Sequence, residues 1–88
     1  MINPQKVEQL LYVTIRSKEK LLFEGNVKSM TSKNERGIFD VLPSHANFIS
    51  LISSYIVLDF GLETEKNFAL EKGLLYLMQN KVSVYVGL

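Results

Sequence analysis

The chain has no cysteine, one histidine and two prolines in 88 residues. Without cysteine there are no disulfide staples and no Cys-based zinc site, so the fold must rest on its hydrophobic core. The composition, 47% hydrophobic, supplies one. A chain of this size buries a little over ~60% of its unfolded surface, enough for one small domain. One histidine with dispersed Asp and Glu leaves no metal-ligand set, and no cofactor is expected. Charge of one sign is also lacking: ten basic and nine acidic residues are scattered, with no basic stripe for nucleic acid. The longest nearly uncharged run, residues 42–58, is broken by Pro43, Ser44, His45, Asn47, Ser50, Ser53 and Ser54. A membrane span needs roughly 20 mostly apolar residues, so this run is not one. Met1-Ile2-Asn3-Pro4-Gln5-Lys6 carries neither the apolar core of a signal peptide nor the Arg-rich character of a transit peptide. The expectation is an intracellular protein, soluble on its own. The glycines at 25, 37, 61, 73 and 87 are isolated and form no phosphate-cradling loop.

What is present is a succession of short strand patterns. Residues 1–9 are polar and read as a lead-in, with one domain over residues 10–88. Leu11, Val13 and Ile15 alternate with Tyr12, Thr14 and Arg16, the period of a half-buried strand. Ser17-Lys18-Glu19-Lys20 turns the chain into Leu21-Leu22-Phe23, and Glu24-Gly25-Asn26 reads as a second tight turn. Residues 27–32 are expected to form a strand, with Met30 on the face opposite Val27. Phe48, Leu51, Ile52 and Tyr55 fit a helical spacing as well as a strand. Residues 55–60 are strand-like, and residues 61–66 are a polar hairpin connection. Phe68 and Leu70, then residues 74–78, give two strands split at Gly73. The second is apolar on both faces, which suits burial between layers or under a partner. After Gln79-Asn80-Lys81, residues Val82, Val84 and Val86 alternate most clearly of all. Short strands about every eight to twelve residues, with polar turns between them, predict an all-β fold, a small antiparallel β-sandwich or flattened barrel of about eight to ten strands. Tyr12, Tyr55, Tyr76 and Tyr85 are read as ordinary strand tyrosines rather than base-stacking groups.

The densest stretch is Arg36-Gly37-Ile38-Phe39-Asp40-Val41-Leu42-Pro43-Ser44-His45-Ala46. Gly37 closes a polar loop, Pro43 ends the short strand before it, and His45 sits just beyond, where a loop presents side chains to a partner. A catalytic role would need Ser44 or Asp40 beside His45. Neighbours in extended chain point to opposite sides, which places Ser44 and His45 poorly as nucleophile and base. No enzymatic activity is expected.

Gly37-Ile38-Phe39-Asp40-Val41-Leu42-Pro43-Ser44-His45-Ala46-Asn47 resembles a signature, Gly-x-x-x-Ile/Val-Leu/Tyr-Pro-Gly-His-Ala-Pro. That signature marks the N-terminal β-sandwich of the epsilon subunit of F-type ATP synthases, called delta in mitochondria. Leu22-Phe23-Glu24-Gly25-Asn26-Val27 is similar to a hairpin of that family. So are Phe68-Ala69-Leu70-Glu71-Lys72-Gly73-Leu74-Leu75 and Asn80-Lys81-Val82-Ser83-Val84 to later segments, in order and at family spacing over about residues 11–86. This chain departs from the family pattern at Ser44 and Lys72 (both glycine there), at Tyr55 (a turn glycine) and at Asn47 (proline).

The resemblance implies a non-catalytic central-stalk subunit, one copy per complex. It would couple the gamma shaft to the membrane c-ring during ATP synthesis driven by ion transport, at the cytoplasmic face of the plasma membrane. Its gamma-binding residues would be Ser17, His45, Ala46, Asn47, Phe48 and Ser50. The loop facing the c-ring would be Lys33, Asn34, Glu35, Arg36, Gly37 and Ile38, with Ile38 standing where relatives often carry a carboxylate. Neither nucleic acid nor inserted lipid is an expected partner. Long family members continue into an Ala-rich helical hairpin that senses nucleotide and inhibits hydrolysis. This chain ends with its last strand, so no inhibitory element is expected. Two alternatives stay open: a divergent rotary ATPase with sodium or another output, and a free-standing β-sandwich protein-binding module.

Overall fold

A computed structural model describes residues 9–87. The lead-in expected over residues 1–9 lies outside the described residues except for Gln9. The strands are β1 Leu11–Arg16, β2 Leu21–Val27, β3 Met30–Asn34, β4 Gly37–Val41, β5 Phe48–Leu58, β6 Lys66–Met78 and β7 Lys81–Val86. They form one open sheet in the order β2-β1-β7-β6-β5-β3-β4, with β2 and β4 at its edges. The all-β expectation holds. One ladder departs from the antiparallel pattern: β1 and β7, from opposite ends of the chain and bound by no hairpin, pair in parallel from Tyr12↔Lys81 to Arg16↔Tyr85.

The described residues hold seven strands rather than the about eight to ten expected from turn spacing. The difference lies in β5 and β6, of 11 and 13 residues, each of which joins two stretches expected as separate units. Where the ladder passes from Ser53↔Lys72 to Ser54↔Leu70, Glu71 is an extra residue on β6. That bulge switches the inward side from Phe68 and Leu70 to Gly73, Leu75 and Leu77. On β5, Ser54 sits at φ +75, and the pairing with β3 jumps from Ser32↔Ile56 to Lys33↔Ser53. The fully buried Ser32 hydroxyl donates to the Tyr55 carbonyl at this bend, 2.8 Å away. Residues 48–55, which fit a helical spacing as well as a strand and which the resemblance assigns to strand or loop, are part of one long bent strand.

The bend folds the sheet over a single core that runs from Leu11, Val13 and Ile15 of β1 to Val41 of β4. Phe23 of β2 meets Phe68 of β6 edge-on at 6.1 Å, although two strands separate them in the sheet. Gly73 pairs with Ile52 of β5 on one side and Val86 of β7 on the other. A Cβ there would stand 3.1 Å from the Tyr85 carbonyl oxygen and 3.3 Å from Ile52, so only glycine fits without displacement.

Two local expectations are corrected. Residues 24–26 do not turn: β2 runs straight through Gly25, which pairs with Val13. The reversal comes at Lys28 and Ser29, and for that reason Val27 and Met30 both point into the core rather than to opposite faces. Asp59 holds this turn. Its Oδ1 accepts from the amides of Lys28 (2.6 Å) and Ser29 (3.3 Å), and its Oδ2 from the Thr64 hydroxyl (2.7 Å). Burial pushes the Asp59 carboxyl up, but the bonds from Thr64, Lys28 and Ser29 and the Lys28 charge bring it below the usual aspartate value.

Candidate partner-docking surfaces

The alternation of β5, β6 and β7 that fills the core leaves a second apolar set on the outside. Ile49 and Leu51 of β5, Leu74, Tyr76 and Met78 of β6, and Tyr85 of β7 face away from it. The ladders set them side by side: Ile49↔Tyr76, Leu51↔Leu74 and Leu74↔Tyr85. Ile49 is 62% exposed and Leu51 71%, values that mark a contiguous patch rather than a scatter of single residues. The same side becomes polar on β1 and β2. There the Tyr12 hydroxyl donates to the Glu24 carboxylate, and that bond, with burial and the carboxylate charge, raises the tyrosine pKa.

The patch is bordered at one end by the turn that carries the only histidine. Pro43 and Ser44 occupy the middle of a four-residue turn closed by His45 N–H donating to the Leu42 carbonyl at 3.2 Å, with Ser44 at φ +69. Proline followed by a positive φ is the type II pattern. His45 is exposed; its Nδ1 lies 2.7 Å from the Ala46 carbonyl oxygen and its ring 5.0 Å from that of Phe48. The Ser44 hydroxyl donates to Gln9 Oε1 at 2.6 Å, away from the imidazole. The pair is therefore arranged for presentation, not for nucleophilic chemistry.

Ser17 lies at the far end of β1 from this turn, past the Arg16↔Tyr85 pair. Its hydroxyl accepts from the amides of Glu19 and Lys20, both at 3.3 Å, and so shapes the β1–β2 turn as expected. Ser17 and His45 do not form one cluster. They stand at opposite ends of the apolar patch.

Lys33, Asn34, Glu35, Arg36, Gly37 and Ile38 form the β3–β4 turn, where Gly37 takes φ +120 and Asn34 Oδ1 accepts the Arg36 amide at 2.9 Å. This turn reaches β5: Asn34 Nδ2 donates to Ser50 Oγ at 3.2 Å. Asn34, Glu35 and Arg36 share a groove of about 530 Å³ with residues 48–51. The two residue sets assigned to different partners thus adjoin along the start of β5. Ile38, 70% exposed, faces the other layer, where it joins Tyr55, Val57 and Phe60 around an apolar groove of about 550 Å³. In that groove the Thr31 hydroxyl donates to Asp40 at 2.6 Å.

Phe48 and Ser50, expected to meet the same partner as Ser17 and His45, alternate with Ile49 and Leu51 and so face the other side of β5: Phe48 packs against the core and meets Phe39 at 5.9 Å, and Ser50 takes the Asn34 bond. The exposed patch itself was absent from the sequence expectations. Its signal was there in residues 74–78, apolar on both faces. What the sequence could not supply was the bulge that decides which of those faces points out.

Residues 10–87 match the family model for the ATP synthase delta/epsilon chain β-sandwich domain. The chain is similar to the ATP synthase epsilon chain of Leptospira borgpetersenii serovar Hardjo-bovis, 31% identical over 84% of this chain and 58% of that one. It is also similar to the ATP synthase epsilon chain of Maricaulis maris, 43% identical over 61% of this chain and 42% of that one. Among solved structures, a chain of the Euglena gracilis mitochondrial ATP synthase superposes with a TM-score of 0.80 at 10% identity. That match covers 98% of this chain and 56% of the other. The matches therefore span 42% to 58% of the length of these relatives.

Proposed function

The chain belongs to the ATP synthase delta/epsilon β-sandwich family, and from that premise we propose that it is a non-catalytic central-stalk subunit of a rotary F-type ATP synthase. It docks on the gamma shaft and rests on the membrane c-ring, so that ion-driven rotation is passed on to the catalytic heads. The observation that carries this reading is the apolar patch of β5, β6 and β7, with Ser17 at one end and the His45 turn at the other. A patch of this kind on a small soluble domain is stable when a partner covers it, which favours a complex member over a free-standing module. Gamma lies across it, touching Ser17, His45, Ala46 and Asn47 at its ends and reaching round the start of β5 to Phe48 and Ser50, whose side chains face the other side of that strand. The turn Lys33–Ile38 faces the ring, where Ile38 makes the contact apolar. The site lies on the aqueous face of the ion-translocating membrane.

The mechanical requirement is stiffness, because a compliant coupling would store torque rather than pass it on. One bent sheet packed on itself, with β5 and β6 continuous through both layers, supplies that rigidity. The experiment is titration of the chain onto a gamma-containing catalytic core. Stoichiometric, saturable binding without ATP hydrolysis by the isolated chain is expected. No binding to gamma, or saturable ATP binding by the chain alone at micromolar concentration, would overturn the proposal.

A further inference from the structure

The His45 turn does not hold its shape through backbone preference alone. Ser44 stands at φ +69, a region that L-residues other than Asn, Asp and Gly rarely visit. Two asparagines offset this. Asn80, in the β6–β7 turn, accepts the Ser44 amide on its Oδ1 at 2.6 Å. Asn47, at the far side of the His45 turn, accepts the Gln79 amide on its Oδ1 at 2.8 Å. Each segment therefore lends a side-chain carbonyl to a backbone donor of the other. The arrangement is anchored twice more: the Asn80 carbonyl accepts the Tyr12 amide at 2.8 Å, and the Ser44 hydroxyl reaches Gln9. Gln79 and Asn80 themselves sit at φ +49 and +65, so the hairpin turn that carries the clasp is fixed by its own geometry.

We infer that Asn80 and Asn47 are positioning residues for the partner-facing His45 turn, a reciprocal clasp that holds it ready before docking. The inference rests on the docking role proposed above. The clasp lies at the two positions where the chain departs from the Gly-His-Ala-Pro signature. Glycine at position 44 would take positive φ freely, and proline at 47 would stiffen the exit. Here Ser44 and Asn47 do neither by backbone, and the hydrogen bonds to the β6–β7 turn do so in their place. Pre-ordering the turn removes an entropy cost that binding would otherwise carry, which raises affinity without any new contact.

The test is Asn80→Gly, which keeps the positive φ of the hairpin turn and removes only the side chain. In the isolated full chain, the Ser44 amide should exchange with solvent deuterium markedly faster, while the amides of β1 and β7 keep their protection. Affinity for the gamma-containing core should fall by about three- to tenfold. Adding Ser44→Gly to Asn80→Gly should restore most of that affinity, because glycine returns the turn's preference without the clasp. Asn47→Ala is the second probe and should speed exchange at the Gln79 amide. An unchanged Ser44 exchange rate in Asn80→Gly overturns the clasp. Faster exchange with unchanged affinity leaves the clasp standing as a local structure and overturns the docking role of the turn. A loss of affinity that Ser44→Gly does not restore overturns positioning in favour of direct contact by Asn80.

Discussion

Leu75 and Leu77 lie on one side of β6, and Leu74, Tyr76 and Met78 on the other. They alternate along one stretch of strand and are of comparable apolarity, yet the first pair is buried to within 1% and the second set is half-open. What differs is the facing layer. Leu75 and Leu77 pack into the cluster with Val13, Ile15, Val82 and Val84, whereas the outer three lie outside that cluster. Apolar side chains on the inner side are buried by the fold; those on the outer side gain only their cross-strand contacts and stay open to solvent in the free chain. The same comparison repeats on β5, where Ile52 is buried and Leu51 beside it is the most exposed large hydrophobic residue described.

The comparison breaks most easily on its inner side. Leu75→Ala should cost about 2–5 kcal/mol of folding stability, because it removes a fully buried side chain from a core with no disulfide to hold it. Urea unfolding of the isolated chain measures this, and a cost below about 1 kcal/mol would show that the inner face is loosely packed. Gly73→Ala comes next. Its methyl group would press on the Tyr85 carbonyl, a backbone atom that cannot move alone, and the expected loss is about 1–3 kcal/mol. Since Gly73 points inward, its substitution should lower the melting temperature and leave affinity of the folded fraction for gamma unaltered.

Asp59 gives the smallest of the fold-side effects and one with a pH signature. Its pKa is lower in the folded chain than in the unfolded one, so its stabilisation is fully present above the unfolded value, about 3.9. It is lost as pH falls through the still lower folded value. Asp59→Asn should therefore flatten the acid limb of the stability profile below about pH 4 relative to the parent chain. Thermal melts across that range are the measurement, and parallel limbs in the two proteins would remove Asp59 from the account.

The sequence carried the edges of this picture better than its middle. Leu11, Val13 and Ile15 and the Val82, Val84 and Val86 alternation are six-residue strands with one buried side, and their pattern is complete within the strand. Gly25 misled because a glycine between polar residues looks the same in a turn and in an edge strand; the actual turn at Lys28 and Ser29 depends on Asp59, thirty residues away. Residues 48–58 and 66–78 were divided because Ser53-Ser54 and Gly73 resemble breaks. The fold uses them as a bend and as a close crossing inside continuous strands. The His45 turn was legible from Pro43 and its neighbours. The partners that hold it, Asn80 and Gln79, are distant in sequence and were not.

The central claim is that the outer face of β5 and β6 is an interface for the shaft. Its most direct test is the double variant Ile49→Asp/Leu51→Asp, titrated calorimetrically onto the gamma-containing core beside the parent chain. Two exposed positions tolerate charge at a stability change within about 1 kcal/mol, so the melting temperature of the free chain should barely move. Affinity should fall at least tenfold, about 1.4 kcal/mol or more, because desolvated carboxylates would face an apolar partner surface. Unchanged affinity with the same melting temperature would contradict the account and place gamma on another face of the domain.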